Sequence, residues 1–541
     1  MKKVLSLLLV VFLLMCNVTL VSCDSILNKE IPSTDDVGDT NTPPCKHDDP
    51  TKVVVLPAVP STCTETGLTE GLKCTLCGTS VIPQAVVSKI EHQLGDWATN
   101  VSEDAIKEIR ECSLCREIGD RRNVAFDVNE SVTISFYVRR NNLNYLWDKY
   151  ISQFNELYPN IRIEVRTFEY YSDLSGNTAG NIALCYPENV AKFNALGNVI
   201  TLDQFINSSI EITRADGSVE TLGLTQSQVD DFIDGFFNEG KQFGDDLMYT
   251  LPFSRQAELL YYNKTFFEEN NLEVPTTWDE MEALCARIKE IDPDCIPLGY
   301  ESASNLFITL CEQFGSPYTS SVGEHYLFDN DTNRAFVKKM AEWFEKGYIT
   351  TMYMYGAYLS SPFTAQNMYM CITNSRSAIN MHPRKDTDGN YLFEVDIARV
   401  PQVDPANSKV YSEALSLVML NRGGTKEAVA TWLFMKFLTT NAQVQADYSK
   451  EWNYTPVIES AMYVDSYADY LNGADGGNNL AALALKMSLE QRDAYFSIPA
   501  FVGSQSAKER VGYLLKSYGN SANIDSMIAD AFKQALQDCK K

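Results

Sequence analysis

Histidine is nearly absent from this chain: there are four in 541 residues, and only His325 and His382 lie beyond the first 130. That scarcity argues against His-rich metal catalysis in the bulk of the molecule. Basic residues are also in deficit, with 45 Lys and Arg against 71 Asp and Glu, a net charge of -26. Such a balance disfavours binding to nucleic acid or to anionic lipid headgroups. No Gly-x-Ser-x-Gly elbow and no Walker-type phosphate loop occurs. After the first 22 residues no apolar run is long enough to cross a bilayer. What is present is a hydrophobic content of 45% with 11% aromatics, ample for large cores. The length points to more than one domain.

The chain starts with Lys2 and Lys3 followed by the apolar run from Val4 to Met15. The run is too short to span a membrane comfortably and reads as a signal-peptide core. Leu20-Val21-Ser22-Cys23 resembles the lipobox of bacterial lipoproteins. The resemblance implies a signal peptide over 1–22 and a palmitate-type anchor at Cys23. It further implies a chain held on the extracytoplasmic face of the cell membrane. The mature chain would carry 43 basic and 71 acidic side chains, net -28, which suits a body held just off the lipid. Residues 23–44 are rich in Asp, Thr and Pro and poor in apolar groups, the composition of a flexible acidic tether.

Residues 45–125 form a Cys-rich module. Two CxxC pairs, Cys74/Cys77 and Cys112/Cys115, suit the four thiolates of a zinc-ribbon-like site, with Cys45, His47 and His92 as alternate ligands. Disulfide staples are the other reading, because exported proteins oxidise their thiols. Either way the role is structural, and no cofactor is required for function. The stretch from Leu56 to Gly78 resembles a small Cys-rich repeat of surface proteins in anaerobic Gram-positive bacteria. Among the later cysteines, Cys285 and Cys295 flank a helix end, where a bridge and buried thiols are both open.

From about Ser131 the pattern changes. Val132 to Val138 alternates like a strand, Leu143 to Leu157 has helical spacing, and Ile161 to Val165 alternates again. Strand, helix, strand indicates a βαβ unit and a parallel sheet, so the class is α/β. Further helices are expected over 277–291, 333–346, 426–439 and 525–538. Thr277 with Glu280 forms a capping box for the first of these.

Several stretches in this body resemble one family. They are Tyr249-Thr250-Leu251-Pro252-Phe253-Ser254 running into Leu260-Tyr261-Tyr262-Asn263-Lys264, then Val274-Pro275-Thr276-Thr277-Trp278-Asp279-Glu280, Ser375-Arg376-Ser377-Ala378-Ile379, Thr425 to Leu438, and Tyr454-Thr455-Pro456-Val457. Together, across about 410 residues, they are similar to the extracellular solute-binding proteins of ABC importers, the branch that includes sugar binders. The resemblance implies a two-lobed periplasmic-binding-protein-like fold over 131–541, with a hinge and an inter-lobe cleft. One lobe would combine about 131–250 with 410–452, and the other about 255–409 with 453–541. It also implies a sugar as the captured solute, permease subunits of an ABC transporter as partners, and no enzymatic activity.

Sugars call for planar polar side chains against hydroxyls and aromatic rings against C–H faces. Mapped by position, the candidates are Arg139, Arg140 and Asn141 after the first strand, then Tyr186 and Glu188. Ser254 and Gln256 lie at the first crossing between lobes, and Asn380 and His382 in the distal lobe. Glu413, Trp452 and Tyr454 lie near the later crossings. The run Tyr353, Tyr355 and Tyr358 alternates partly at strand spacing; lining the cleft is one reading, and packing the second lobe is the expected one. The loop from Asn380 to Pro383 has no Trp, unlike the best-known sugar binders, which leaves the sugar class open. A glycoside hydrolase, marked by two carboxylates facing one cleft, and a surface adhesin or scaffold are the rival functions.

Overall fold

The computed structural model describes residues 45–99, 105–124, 126–127, 129–142, 144–174, 180–473, 479–519 and 522–540. The signal peptide, Cys23 and the tether up to residue 44 lie outside the described residues. The chain divides into two compact units, one ending at Gln93 and the other running from Leu94 to the C-terminus.

In the first unit a three-stranded antiparallel sheet is ordered Val53–Leu56, Gly71–Cys74, Ser80–Ile82. A two-stranded ladder pairs Gly67–Leu68 with Val86–Val87. Gly67 is needed where it stands, because a Cβ there would lie 2.4 Å from the Val59 carbonyl oxygen.

The second unit opens with a small antiparallel sheet over Ala98–Thr99, Lys107–Glu111 and Ile118–Asn123. Cys112 and Cys115 sit in the turn of its hairpin. The main sheet follows with ten strands: β1 Val132–Arg139, β2 Ile161–Phe168, β3 Ile182–Cys185, β4 Thr250–Asn263, β5 Ile296–Tyr300, β6 Ile349–Thr351, β7 Met368–Asn374, β8 Val395–Ala398, β9 Val410–Met419 and β10 Tyr495–Phe496. Their order is β2-β1-β3-β9-β4-β7-β5-β6, with β8 on β4 and β10 on β9. β1 buries Val132, Ile134, Phe136 and Val138 on alternate positions, as its sequence requires.

Two parallel groups, β1 to β3 and β5 to β7, are joined by the antiparallel pair β4 and β9. β4 pairs with β9 through Ala257 and with β7 and β8 from Glu258 onward, so one strand belongs to both halves. Each half has its own core. The first packs β1 to β3 against helices α1 (Leu146–Leu157) and α6 (Thr425–Thr440), around Phe136, Trp147, Phe154 and Phe434. The second packs β5 to β7 against α3 (Trp278–Ile291), α4 (Ala303–Gln313), α5 (Asp331–Glu345) and α9 (Ile524–Cys539), around Phe307, Trp343 and Phe532. This is an α/β molecule with two lobes.

The helices expected over 277–291, 333–346, 426–439 and 525–538 fall within two residues of the observed ones, and the one expected from Leu143 starts at Leu146. Thr277 caps α3, with the Glu280 backbone N–H donating to its hydroxyl at 3.2 Å and the Glu280 carboxylate accepting in return. Cys285 and Cys295 are both buried and unbridged, and burial pushes the Cys295 thiol up to about 11.

Glu258, where β4 passes into the second half, is 4% exposed and accepts from the Tyr300 and Thr309 hydroxyls. Burial pushes its carboxyl up to about 7 against the pull of those hydroxyls. A carboxyl raised on folding adds stability below its unfolded value, and that stability is lost as pH rises through the folded value. Unfolding free energy relative to Glu258→Gln is therefore expected to fall by up to about 3 kcal/mol between pH ~4.5 and 7. Parallel pH profiles of the two proteins in urea test this.

Candidate functional site

The loops after the parallel strands of the first lobe and the helices facing them in the second enclose a cleft of about 640 Å³. Arg139 ends β1, Tyr170 and Tyr171 follow β2, and Tyr186 and Glu188 follow β3 at the start of helix α2 (Pro187–Ala195). The second lobe supplies Ser304 from α4, and Gln505 and Lys508 from α8 (Ser504–Gly512). A smaller adjoining recess shares Tyr186, Glu188 and Glu413 and adds Glu239, Gln242 and Tyr411. Both recesses open at the carboxyl ends of the first lobe's parallel strands, where α/β sheets hold ligands.

Glu413, on β9, is the centre of the polar network. It pairs with Lys508, accepts from Gln256 Nε2 at 2.8 Å and from the Tyr411 hydroxyl at 3.3 Å. Lys508 also donates to the Tyr411 hydroxyl at 3.0 Å. Burial alone would raise Glu413; the Lys508 ammonium and the Gln256 and Tyr411 donors carry it below the ordinary carboxylate value instead. Burial would lower Lys508, but Glu413, Tyr411 and Glu188 hold it well above its ordinary value. Glu188 has no such partner, so burial raises it, with Lys508 pulling the other way and Glu413 adding to the rise.

Aromatic faces flank these charges. The Arg139 guanidinium lies 5.7 Å from the centroid of Tyr171, and Tyr171 lies 6.5 Å from Tyr186. The Tyr171 hydroxyl is buried without a hydrogen-bond partner, an unspent polar group in the wall of the cleft.

Of the residues expected at the site, Arg139, Tyr186, Glu188 and Glu413 line the cleft, and Gln256 binds Glu413 from behind. Arg140 pairs with Glu169 at 3.5 Å with both side chains largely exposed, and Asn141 lies on an exposed 3-10 turn. Ser254 is 1% exposed, beside a bulge between Pro252 and Ser254 that shifts the β4 register. Tyr454 is core, and Trp452 packs against that core. The two rings flank Arg376, whose guanidinium is 5.5 Å from Trp452 and donates to the Tyr454 hydroxyl at 3.2 Å. Asn380 is exposed, and His382 stacks on Tyr391 at 4.7 Å beside a separate recess. Tyr353, Tyr355 and Tyr358 are not in the core of the second lobe, although Tyr353 meets Tyr513 edge-on at 5.1 Å. They are exposed, just past the carboxyl end of β6.

Tyr170, Tyr171, Tyr411 and Lys508 were not among the expected residues. An aromatic pair directly after β2 is a legible signal for the first two. Tyr411 shares a strand face with Glu413, two residues on. Lys508 has no local signature.

In the first unit Cys45, His47, Cys74 and Cys77 bring one ligand atom each to within 4.8 Å of one another, a group that could hold a metal ion. The first CxxC pair is thus grouped with Cys45 and His47, two of the alternates. Its sequence-expected partners Cys112 and Cys115 lie on the hairpin of the second unit. His92 is exposed.

Two α/β lobes hinged through shared strands, with polar and aromatic groups meeting in the cleft between them, define a cleft-binding protein. The sequence model of the family described as bacterial extracellular solute-binding protein matches residues 149–472, and the chain belongs to that family. The sugar-binding protein MalE of Xanthomonas citri superposes with a TM-score of 0.59 at 14% identity, covering 76% of this chain and 98% of that one. The cyclic alpha-maltosyl-1,6-maltose binding protein of Arthrobacter globiformis gives 0.58 at 16% identity, over 76% and 99%. UgpB of Mycobacterium tuberculosis, solved in complex with glycerophosphocholine, gives 0.58 at 17%, over 76% and 99%. An uncharacterised ABC transporter extracellular-binding protein of Pyrococcus horikoshii is 26% identical over 151 residues, 26% of this chain and 30% of the relative's length.

Proposed function

We propose that the chain captures a carbohydrate in the cleft by lobe closure and delivers it to the permease of an ABC importer. Cys23 would hold it by lipid to the extracytoplasmic face of the membrane, with 23–44 as tether and the Cys-rich residues 45–125 as folded spacer. The lobes would be 131–250 with 410–452 and 255–409 with 453–541. Among the described residues no helix is long and apolar enough to cross a membrane.

The observation that carries this reading is the pairing of the Tyr171 and Tyr186 rings with a dense set of buried donors and acceptors around Glu413 in one cleft. Sugars need both an apolar platform and oriented hydrogen bonds. Calorimetric titration of the mature chain with mono- and oligosaccharides, and with glycerophosphocholine as a non-sugar probe, tests it. Saturable one-to-one sugar binding without turnover is expected. Binding of glycerophosphocholine alone, or of nothing in the panel, would sink the sugar assignment. Tyr186→Ala is expected to raise Kd at least about tenfold, a loss of about 1.4 kcal/mol, and an unchanged Kd would remove Tyr186 from the platform.

A second reading, an exported glycoside hydrolase, is favoured by one observation. Glu188 and Glu413 face the same cleft and are shifted in opposite directions, a pattern of acid and base carboxylates. Against it, Glu413 is committed to Lys508 and Gln256. Product analysis of the same incubations separates the readings, since released sugar supports the hydrolase and intact sugar supports capture.

A further inference from the structure

The first unit has too little interior to hold itself together. Of residues 45–93 only Cys63, Gly67, Gly71 and Cys74 are buried, and no strand exceeds four residues. Domains this small need a staple.

Its chain geometry gathers one. The strand Gly71–Cys74 runs into a tight turn, Cys74-Thr75-Leu76-Cys77-Gly78, closed by the Gly78 N–H donating to the Cys74 carbonyl at 3.0 Å. Gly78 has φ +73 and the Cys74 N–H bonds the Thr79 carbonyl, so the two thiols of the pair are held at one side of a knuckle. Cys45-Lys46-His47 supplies the other two groups, and His47 is itself left-handed at φ +55. Cys45 Sγ lies 3.5 Å from Cys74 Sγ, and His47 Nε2 lies 3.2 Å from Cys77 Sγ.

Those separations are at or a few tenths of an ångström below those of ligands sharing a metal. Zinc bonds of about 2.3 Å to sulfur and 2.0–2.1 Å to nitrogen place tetrahedral ligand atoms about 3.5 to 3.8 Å apart. A disulfide needs sulfurs about 2.05 Å apart, and three thiols cannot all pair among themselves. Soft thiolates with one imidazole select zinc over calcium or magnesium. With four protein ligands the coordination sphere is complete, leaving no open position for catalysis.

We propose that Cys45, His47, Cys74 and Cys77 bind one zinc ion as a closed tetrahedral site that folds this unit. On binding, each thiol that enters as thiolate releases its proton, and His47 coordinates as neutral imidazole through Nε2. None of the four ligands is among the cleft-lining residues, and the test is independent of any sugar.

The full chain, secreted as Cys23→Ser to leave off the lipid, is purified with zinc in the medium and weighed by native mass spectrometry. The Cys45→Ser/Cys77→Ser variant is expected to carry one zinc equivalent fewer than its parent. His47→Cys is expected to keep the equivalent. When the zinc is exchanged for cobalt, that variant should shift its visible bands to longer wavelength relative to the parent as thiolate replaces imidazole. A variant that merely misfolds cannot give that retained and shifted spectrum. Equal zinc counts in the parent and the double variant would overturn the proposal. So would a parent that lacks zinc and whose Cys45 and Cys74 are recovered as a disulfide.

Discussion

Replacing Glu413 with Ala is expected to cost about 3 kcal/mol of unfolding free energy at neutral pH, the low end of what removing one partner from a buried ion pair costs. The lower end is appropriate because the Glu413 and Lys508 side chains are each 20% exposed, so water screens part of the pair. The variant leaves the Lys508 ammonium against the Tyr411 ring and hydroxyl without its paired carboxylate, Glu188 being the acid still acting on it, and leaves Gln256 Nε2 without its acceptor. Glu413→Gln/Lys508→Met removes both charges and should recover most of the loss, because well-packed neutral groups replace buried pairs at little cost. The pH window follows from the signs of the two shifts. The depressed Glu413 contributes stability above its unfolded value near 4.5, lost as pH falls through its folded value. The raised Lys508 contributes stability below about 10.4, lost as pH rises through its folded value. The gap between wild type and Glu413→Ala should therefore stay constant from pH ~5 to 10 and narrow outside it. Urea unfolding at pH ~4, 7, 9 and 11 checks this. A gap under 0.5 kcal/mol at pH 7 would show the pair to be no more than a surface contact.

Local order was legible in the sequence where it is set by local chemistry. The alternation of Val132, Ile134, Phe136 and Val138 gave β1, and Thr277 with Glu280 marked the start of α3, because sheet period and capping act over a few residues. Cleft-lining residues were legible where a strand end delivers them directly, as for Arg139, Tyr186 and Glu188. They were not where a short irregular turn intervenes. The 3-10 turn Arg140–Asn142 carries Arg140 and Asn141 to solvent, and the one over Ser375–Asn380 ends with Asn380 exposed and His382 stacked on Tyr391. Ser254 was lost to the bulge, since one extra residue in a strand changes which face a side chain meets. Lys508 was invisible for another reason. Its partner is 95 residues away, and an ion pair at that separation leaves no periodic or motif trace. The Cys74/Cys77 knuckle was equally plain as a motif. Its grouping with Cys45 and His47 depends on how a two-residue spacing and a left-handed His47 fold back, which spacing alone does not determine.

Arg255→Ala is expected to be the most damaging single change near the cleft, at about 4 kcal/mol, the middle of the range for a broken buried ion pair. Arg255 is fully buried on β4 at the passage between lobes. It pairs with Glu239, donates from Nε to Ser412 Oγ at 2.9 Å and from a terminal nitrogen to the Ser412 carbonyl at 3.2 Å. Its guanidinium also lies 4.3 Å from the Phe236 centroid. Its backbone exchanges both hydrogen bonds with Thr455, at 3.1 and 2.7 Å. One side chain therefore ties together β4, β9 and the segment before β4 that carries Glu239, while the backbone holds the return segment after Tyr454. Truncation would leave the Glu239 carboxylate, 12% exposed, without its counterion in the wall of the smaller recess. Arg255→Lys should recover little, since a single ammonium cannot satisfy a carboxylate, a hydroxyl and a carbonyl in the fork geometry that the guanidinium spans. Arg255→Ala/Glu239→Gln should recover more, because it removes the orphaned charge. If Arg255→Lys is as stable as wild type in urea, the site requires charge alone and the three-way tie is not what holds the crossing. If the two lobes instead unfold in separate transitions only in Arg255→Ala, the residue is shown to couple them, which is the mechanical condition for closure on a ligand.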